Sequence, residues 1–144
     1  MAANTVPIFP LTPNVSWGSV ATANTAKDGT GTQVTVFTAG ANGARIDQIK
    51  ARALGTNTAT VLRFFINNGS DNETPANNTL IHEITVAGTT LSEVAALADN
   101  DVTVTKGVDV FPPIQYLPAG YKINVAIGTT VAAGLHITVH GADY

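Results

Sequence analysis

The sequence has no cysteine and few charged residues. Without cysteine the chain forms no disulfide, zinc–thiolate site or iron–sulfur centre, and it offers no thiol nucleophile. Charged residues make up 12% of the chain, whereas an ordinary soluble domain has about 25%. The 7 basic and 10 acidic residues give a net charge of −3, which excludes nucleic-acid binding driven by charge.

Long apolar runs are absent as well. Hydrophobic residues make up 44% of the chain, but no window approaches the roughly 18 consecutive apolar residues of a transmembrane helix. Residues 1–14 also lack the basic start and the apolar run of a secretory signal. We therefore expect a soluble protein that is made in the cytoplasm and has no membrane partner.

Short runs in which apolar and polar residues alternate fill most of the chain. Such alternation, rich in Thr and Val, is typical of β-strands with one buried face. The clearest strands are residues 121–127 and 135–140, and similar segments bring the expected number to about eight. The sequence therefore predicts an all-β, single-domain antiparallel β-sandwich over residues 15–144, with a jelly roll as the expected topology.

Two turns predict hairpins. Asn42-Gly43 tolerates positive φ and joins a strand at 33–38 to one at 45–54. Residues 55–58 then join 45–54 to a strand at 59–67, which places Leu54 opposite Ala59. In that register the alanines of one strand oppose large hydrophobic residues of the other, and together they form a core face.

The other face of this second hairpin places Lys50 opposite Arg63, with Arg52 and Phe65 beside them. Like charges directly opposite each other are unfavourable, so the face is either solvated or a contact surface for an acidic partner. Residues 45–66 carry a net charge of +3 and residues 71–109 carry −6. Either copies associate head to tail and close a ring, or the charges neutralise one another within one chain.

Several segments are less regular. Residues 90–98 begin with capping-box spacing, which leaves a short helix and an apolar-lined loop as alternatives. Residues 67–78 predict a long exposed loop, and residues 102–111 predict one or two strands with a bulge at Lys106-Gly107. Residues 117–120 predict a type I turn. Residues 1–14 combine three prolines with four apolar side chains and predict an extended N-terminal arm that needs a surface to lie on.

Residues that could carry chemistry are few. His136 and His140 share a strand face but lie too far apart to hold a metal ion without a third ligand, as a metal-binding jelly-roll enzyme would require. His82 falls on an apolar face and predicts a hydrogen-bonded core or interface histidine. Acidic clusters at 71–73 and 99–101 predict solvated loops rather than calcium sites. With no phosphate-binding glycine loop and no nucleophile elbow, we expect no cofactor, no metal and no enzymatic activity.

Four segments of the chain resemble small virion proteins of tailed bacteriophages and prophages. They are residues 44–49, 55–67, 117–121 and 132–144. Within that group, a short jelly-roll or sandwich protein with an extended arm is similar to capsid decoration, or cement, proteins. Such proteins commonly form trimers over threefold and quasi-threefold positions of the shell and brace neighbouring major capsid subunits.

The resemblance implies a non-enzymatic protein of the outer capsid surface, with the major capsid protein and sister subunits as partners. The residues expected to contact the capsid or a sister subunit are Val6, Ile8, Phe9, Leu11, Lys50, Arg52, Arg63 and Phe65. The alternative function is a tail- or fibre-associated carbohydrate-binding module that uses loops such as residues 67–78.

Overall fold

The computed structural model describes residues 8–102, 104–106 and 109–144. Val6 lies outside these residues. They form eleven strands and one 3-10 turn at Pro75–Asn77, with no α-helix in the described ranges. The strands are β1 (Thr12–Val20), β2 (Val34–Thr38), β3 (Ala44–Ala53), β4 (Thr60–Asn67), β5 (Asn78–Val86), β6 (Asp99–Asp101), β7 (Val104–Lys106), β8 (Asp109–Phe111), β9 (Tyr116–Leu117), β10 (Lys122–Ile127) and β11 (Leu135–Asp143).

Two antiparallel sheets make up the sandwich. Sheet I has the strand order β1-β11-β3-β6, with β9 also paired to β3, and sheet II has the order β2-β10-β4-β5. If the eight strands of these two paths are counted in chain order, they pair first with eighth, second with seventh, third with sixth and fourth with fifth. That nested pairing is the topology of an eight-stranded jelly roll, so the predicted fold class is confirmed. The β7–β8 hairpin forms a small sheet of its own.

The core lies between the two sheets and is built from alternate residues of their strands. Ile123, Val125 and Ile127 of β10 are fully buried, as the alternation predicted. The inner residues of β11 are buried as well. Each large aliphatic side chain buried in this way contributes roughly 1.5–3 kcal/mol of transfer free energy, so the alternating pattern dictates which face of each strand turns inward.

Both predicted hairpins are wrong. β2 and β3 lie in different sheets, and so do β3 and β4. The turn before β3 does form, with the Gly43 N–H donating to the Gly40 carbonyl at 3.1 Å and a φ of 90° at Gly43, but it carries the chain from one sheet to the other. An alternating pattern fixes which face of a strand is buried; it does not say whether the next strand lies beside it or across the core.

The connection from β3 to β4 is fastened by one buried asparagine. The Asn57 Nδ2 donates to the Gly134 carbonyl at 2.8 Å, and its Oδ1 accepts from the Ala133 N–H at 2.7 Å. The Asn57 backbone also exchanges hydrogen bonds with Thr89, at 2.9 and 3.0 Å. These bonds tie residues 55–58 to the loop between β10 and β11, and the chain therefore crosses the end of the sandwich instead of turning back beside β3.

The irregular segments resolve as follows. Residues 90–98 form a loop, because the Leu91 N–H is taken by the Thr56 hydroxyl at 2.9 Å rather than by a helix. Residues 102–111 contain two strands, β7 and β8, and β7 ends at Lys106. Gly107, the second residue of the predicted bulge, lies outside the described residues. The turn before β10 spans 118–121, with Tyr121 N–H donating to Pro118 O at 3.2 Å. The φ of 72° at Gly120, its third residue, makes it type II rather than the predicted type I.

Candidate interaction surface

The outer face of sheet I carries three rows of exposed and half-buried side chains that cross its strands. The register of β1, β11, β3 and β6 sets the rows. They are Ser19–His136–Arg52–Asp99, Trp17–Thr138–Lys50–Asp101 and Val15–His140–Gln48. A sheet brings such neighbours to within about 5 Å of one another at Cβ, so this face presents polar, charged and aromatic groups as one continuous surface.

Ion pairs and hydrogen bonds order the charged end of this face. The Arg52 Nε lies 3.1 Å from Asp99 Oδ1, and its Nη2 donates to the Leu97 carbonyl at 3.4 Å. The Gln48 amide donates to Asp101 Oδ1 at 3.3 Å, and Lys50 is the register partner of Asp101. The positive and negative groups therefore balance. They surround a shallow depression of about 330 Å³ lined by Lys50, Arg52, Asp99, His136, Thr138 and His140.

Ion pairs within one molecule neutralise most of the positive charge of residues 45–66. Three of the four cations in residues 45–66 form ion pairs: Arg45 with Asp47 at 2.8 Å, Arg52 with Asp99 at 3.1 Å and Arg63 with Glu83 at 2.8 Å. Two of the acids come from the acidic half of the sequence, residues 71–109. Of the two explanations, neutralisation within the chain is therefore the one that this structure favours.

The structure separates the four residues that the second hairpin had placed together. Lys50 and Arg52 lie on the outer face of sheet I, whereas Arg63 and Phe65 belong to β4 in sheet II. The prediction that Lys50 lies opposite Arg63 is wrong, because the register pairs Lys50 with Thr138 and Arg63 with Glu83.

Arg63 and Phe65 lie beneath the segment 21–33, which crosses the outer face of sheet II. Arg63 is 8% exposed and Phe65 is 0% exposed. At one end the Arg63 Nη1 donates to the Asn24 carbonyl at 2.9 Å. At the other end Gly29 packs against Asn78, the register partner of Asn67. Phe65 lies on β4 between these two contact points, so a partner reaches it only if the segment is displaced.

The Arg63 guanidinium also acts on the carboxylate beside it. Its Nε donates to Glu83 Oε1 at 2.8 Å, and Lys27 lies 3.8 Å from the same oxygen. The hydrogen bond from Arg63 is the main reason that the pKa of Glu83 lies below its ordinary value of 4.5, although desolvation acts in the opposite direction. Glu83 therefore stays ionised at the edge of the loop that covers Phe65.

The described end of the N-terminal arm is apolar and exposed. Ile8, Phe9 and Leu11 are 59%, 68% and 81% exposed. The Leu11 N–H donates to the Asp143 carbonyl at 2.8 Å, and the arm therefore continues directly into β1. Ile8 also lines a cleft of about 610 Å³ together with Asn42 and Tyr144. Strand β1 begins at Thr12, two residues before the predicted end of the arm.

Strand β1 turns its large apolar side chains outward and its small and polar ones inward, the reverse of an ordinary amphipathic strand. Val15 and Trp17 point outward and are 49% and 63% exposed, whereas Asn14, Ser16 and Gly18 are turned toward the sandwich and half-buried. Gly18 fits because a Cβ there would lie 2.7 Å from a Val34 methyl carbon. Sequence reasoning did not predict the exposure of Trp17, although the small and polar residues at alternate positions were the available indication.

We call the outward row of this strand the apolar stripe. Its members are Leu11, Pro13, Val15 and Trp17, which recur at every second position and are all exposed. Residues 8–20 contain no charged side chain. In the described part of the chain β1 pairs only with β11, so the stripe runs along a sheet edge.

The three histidines lie in two places, because His136 and His140 line the same depression and His82 lies in the other sheet. His136 and His140 lie on the outer face of sheet I, two rows apart. His82 is half-buried on β5, with its ring centroid 6.3 Å from that of Phe64. No group of three or more His, Cys, Asp or Glu side chains suited to a metal ion occurs in the described ranges. Among those same residues, no helix has the length and hydropathy needed to cross a membrane.

The loop between β4 and β5 is exposed, as predicted, and its polar side chains bond largely to one another. Asp71 Oδ1 accepts from the Thr74 N–H at 3.0 Å, and the Asn77 Nδ2 donates to the Asp71 carbonyl at 2.9 Å. The Asn67 Nδ2 donates to Asn78 Oδ1 at 2.9 Å. These contacts fix the shape of the loop and engage much of its hydrogen-bonding capacity internally.

No protein-family model matches the chain, and no curated protein matches it. Among solved structures it is similar to a chain of the cyanophage Pam1 capsid asymmetric unit, with 17% identity, a TM-score of 0.44 and coverage of 99% of this chain and 94% of that one. It is also similar to a chain of infectious bursal disease virus, Gx strain, with 12% identity, a TM-score of 0.31 and coverage of 97% of this chain but 36% of that one. Both TM-scores lie below 0.5, so the fold assignment rests on the strand order of this chain.

Proposed function

We propose that this chain is a non-enzymatic virion structural protein of the decoration, or cement, type. In this role it binds the outer surface of a phage capsid as a trimer and stabilises the shell. The observation that carries the proposal is the exposed, uncharged apolar arm that leads into an edge strand of a rigid jelly roll. The sequence resemblance to phage virion proteins supports the same role.

The arm is suited to binding a surface formed by other subunits. A short apolar segment buries little surface when it binds, so one arm alone binds weakly. Three arms held by one trimer bind with high effective concentration, and their combined avidity can exceed that of one arm by a factor of about 10² to 10⁴. A cement protein gains from this arrangement because it bridges several capsid subunits at once.

The shell contacts in this proposal come from two regions. Ile8 and Phe9 of the arm, with Val6 ahead of them, dock on apolar surface of the major capsid protein or a sister subunit. Lys50 and Arg52 on the outer face of sheet I meet acidic groups of the partner. We leave Arg63 and Phe65 out of the proposed contact set because segment 21–33 covers them.

Removal of the arm tests this proposal. The truncation should end at residue 10, because Leu11 already hydrogen-bonds to Asp143. We expect the variant lacking residues 1–10 to lose at least tenfold in affinity for expanded shells of the major capsid protein from the same genome, measured by co-sedimentation. Its thermal midpoint should stay within about 2 °C of the full chain, since surface segments contribute little to stability. Unchanged shell binding by the truncated chain would refute the role of the arm.

A matched substitution separates apolar contact from mere chain length. The double variant Ile8→Ser, Phe9→Ser keeps the full arm but removes its two most N-terminal described apolar side chains. It should bind shells as poorly as the truncation. The control variant Thr12→Ser, at the first residue of β1, should bind like the original chain.

A second candidate function is binding of a neutral saccharide, and the outer face of sheet I favours it. Trp17 is 63% exposed and lies in one row with Thr138 and Lys50, so an aromatic surface adjoins hydrogen-bonding groups of balanced charge. This arrangement suits a sugar ring, which presents C–H groups on its faces and hydroxyls at its rim. Glycan-array binding by the intact chain that disappears in Trp17→Ala would favour this function over the capsid role.

A further inference from the structure

Two groups account for nearly all the large apolar side chains that the described residues leave exposed. The first is the arm with the apolar stripe. The second, which we call the second patch, consists of Leu54, Leu91 and Val94, which are 51%, 54% and 98% exposed. Tyr116 alone stands outside both groups. Contiguous exposed apolar surface of this kind marks a contact site rather than ordinary surface variation.

Hydrogen bonds between two chain segments hold the second patch together. The Thr89 hydroxyl donates to the Gly55 carbonyl at 2.6 Å, and the Leu91 N–H donates to the Thr56 hydroxyl at 2.9 Å. These bonds place Leu54 and Leu91, which are far apart in sequence, on adjoining segments. The exposed Ala95 and Ala96 extend the patch beyond Val94, and Glu93 is the one charged residue between positions 87 and 98.

The stripe and the second patch are separate surfaces of one chain. Strand β1 is one edge of sheet I, and residues 87–98 lead from β5, an edge of sheet II, to β6, the other edge of sheet I. Leu54 directly follows β3, and β11 lies between β3 and β1. Two strand spacings, or about 10 Å, separate β1 from β3, and three, or about 14 Å, separate β1 from β6.

We propose that the stripe of one copy is covered by the second patch of the next copy, so that the chain closes into a ring. Two different apolar surfaces of one subunit that bind each other form a heterologous contact, and such contacts make a ring when the rotation closes. In the closed ring the stripe and the second patch of every copy are both covered. This inference names the surface behind the proposed trimer, and its subunit count of three rests on the proposed function.

Charge supports a second copy as the occupant. Residues 8–20 carry no charge, and the second patch carries only Glu93, so joining them desolvates few charged groups, as the core of a protein interface requires. A shell partner chosen by charge would instead bind near Lys50 and Arg52 on β3, which β11 separates from β1.

Because the chain lacks cysteine, single introduced thiols provide a direct test. The double variant Val15→Cys, Val94→Cys, treated with a short bismaleimide, should give covalent dimers and trimers on a denaturing gel, with nothing larger. Each single variant should stay monomeric on that gel. Cross-linking of Val15→Cys alone would indicate a symmetric contact of β1 with β1 and would overturn the proposal, as would an uncross-linked double variant.

The solution mass gives the second readout and separates this inference from the capsid proposal. Light scattering should give about three subunits for the original chain and one for Val94→Asp, whereas the control Ser70→Asp, in the exposed loop between β4 and β5, should remain a trimer. If Val94→Asp has the same mass as the original chain, the proposed interface is wrong whatever the shell assay shows. If the ring forms through these surfaces but does not bind shells or brace them, the decoration role fails and the interface stands.

Discussion

Phe65 distinguishes a contact residue from a residue that holds the fold. The resemblance assigned it to a contact surface, whereas the structure buries it completely under segment 21–33. A contact residue can be truncated with little effect on the isolated chain, but a buried phenylalanine cannot. The substitution Phe65→Ala therefore tests whether Phe65 is a contact residue or a buried residue that stabilises the fold.

The expected magnitude follows from burial. Truncation of a buried phenylalanine costs about 3–5 kcal/mol. Phe65 lies under a loop rather than between the two sheets, and a loop can partly collapse onto the space, so we expect a loss near the lower end, about 3 kcal/mol. For a chain of this size 1 kcal/mol corresponds to about 2–4 °C, and the thermal midpoint should fall by about 6–12 °C.

The assay is urea and thermal unfolding followed by Trp17 fluorescence and circular dichroism at one fixed protein concentration, since association contributes to apparent stability. Phe64→Ala, which empties a site in the main core, should lose at least as much. Phe9→Ala, which is 68% exposed, should change stability by less than about 0.5 kcal/mol. If Phe65→Ala lost less than about 1 kcal/mol while shell binding fell, the loop would not cover this face in solution and our placement would be wrong.

Three further predictions follow from single contacts. Glu83→Gln should lower stability most above pH 4.5, the ordinary pKa of the carboxyl group, because a lowered pKa in the folded state adds stability while the group is ionised. The difference from the original chain should shrink as pH falls and Glu83 is protonated. Unfolding midpoints measured from about pH 3 to about pH 7, which spans carboxyl titration, check this. Asn57→Ala leaves the Ala133 N–H and the Gly134 carbonyl without their partner, and urea unfolding should show a loss of about 1–3 kcal/mol for each group. Gly141→Ala places a Cβ against the Arg45 carbonyl oxygen and should cost about 1–3 kcal/mol, whereas Gly128→Ala, whose Cβ would meet only the Arg63 guanidinium, should cost less.

The sequence was sufficient for the fold class and for most buried faces, because the period of two in strands such as β10 and β11 is a local property. It was insufficient for strand pairing. The buried faces of β3 and β4 were predicted correctly. Whether the two strands pair side by side or face each other across the core depends on the hydrogen bonds of Asn57, which join it to Gly134, more than 70 residues away in the sequence.

The candidate surface was predicted only in part for a related reason. The apolar arm is visible in the sequence because prolines and apolar residues stand together without charge. Burial of Phe65 is not visible, because a distant segment covers it. The outward direction of Trp17 is indicated only by the small and polar residues at alternate positions of β1. An apolar row on a strand ordinarily faces the core, and β1 reverses that rule at a sheet edge.

The pairing of β1 with β11 sets an order of events during synthesis. Thr12 pairs with Asp143 and Val20 with Leu135, so β1, which is made before the other described strands, has no hydrogen-bonding partner until β11 has been made. Of the long strands, β4 and β5 are neighbours both in the chain and in the sheet, and they can pair early. Non-local pairing of this kind folds slowly, in milliseconds to seconds. The exposed stripe is therefore created only once β11 has been made, and a nascent subunit that lacks β11 has no formed surface with which to capture its neighbours prematurely.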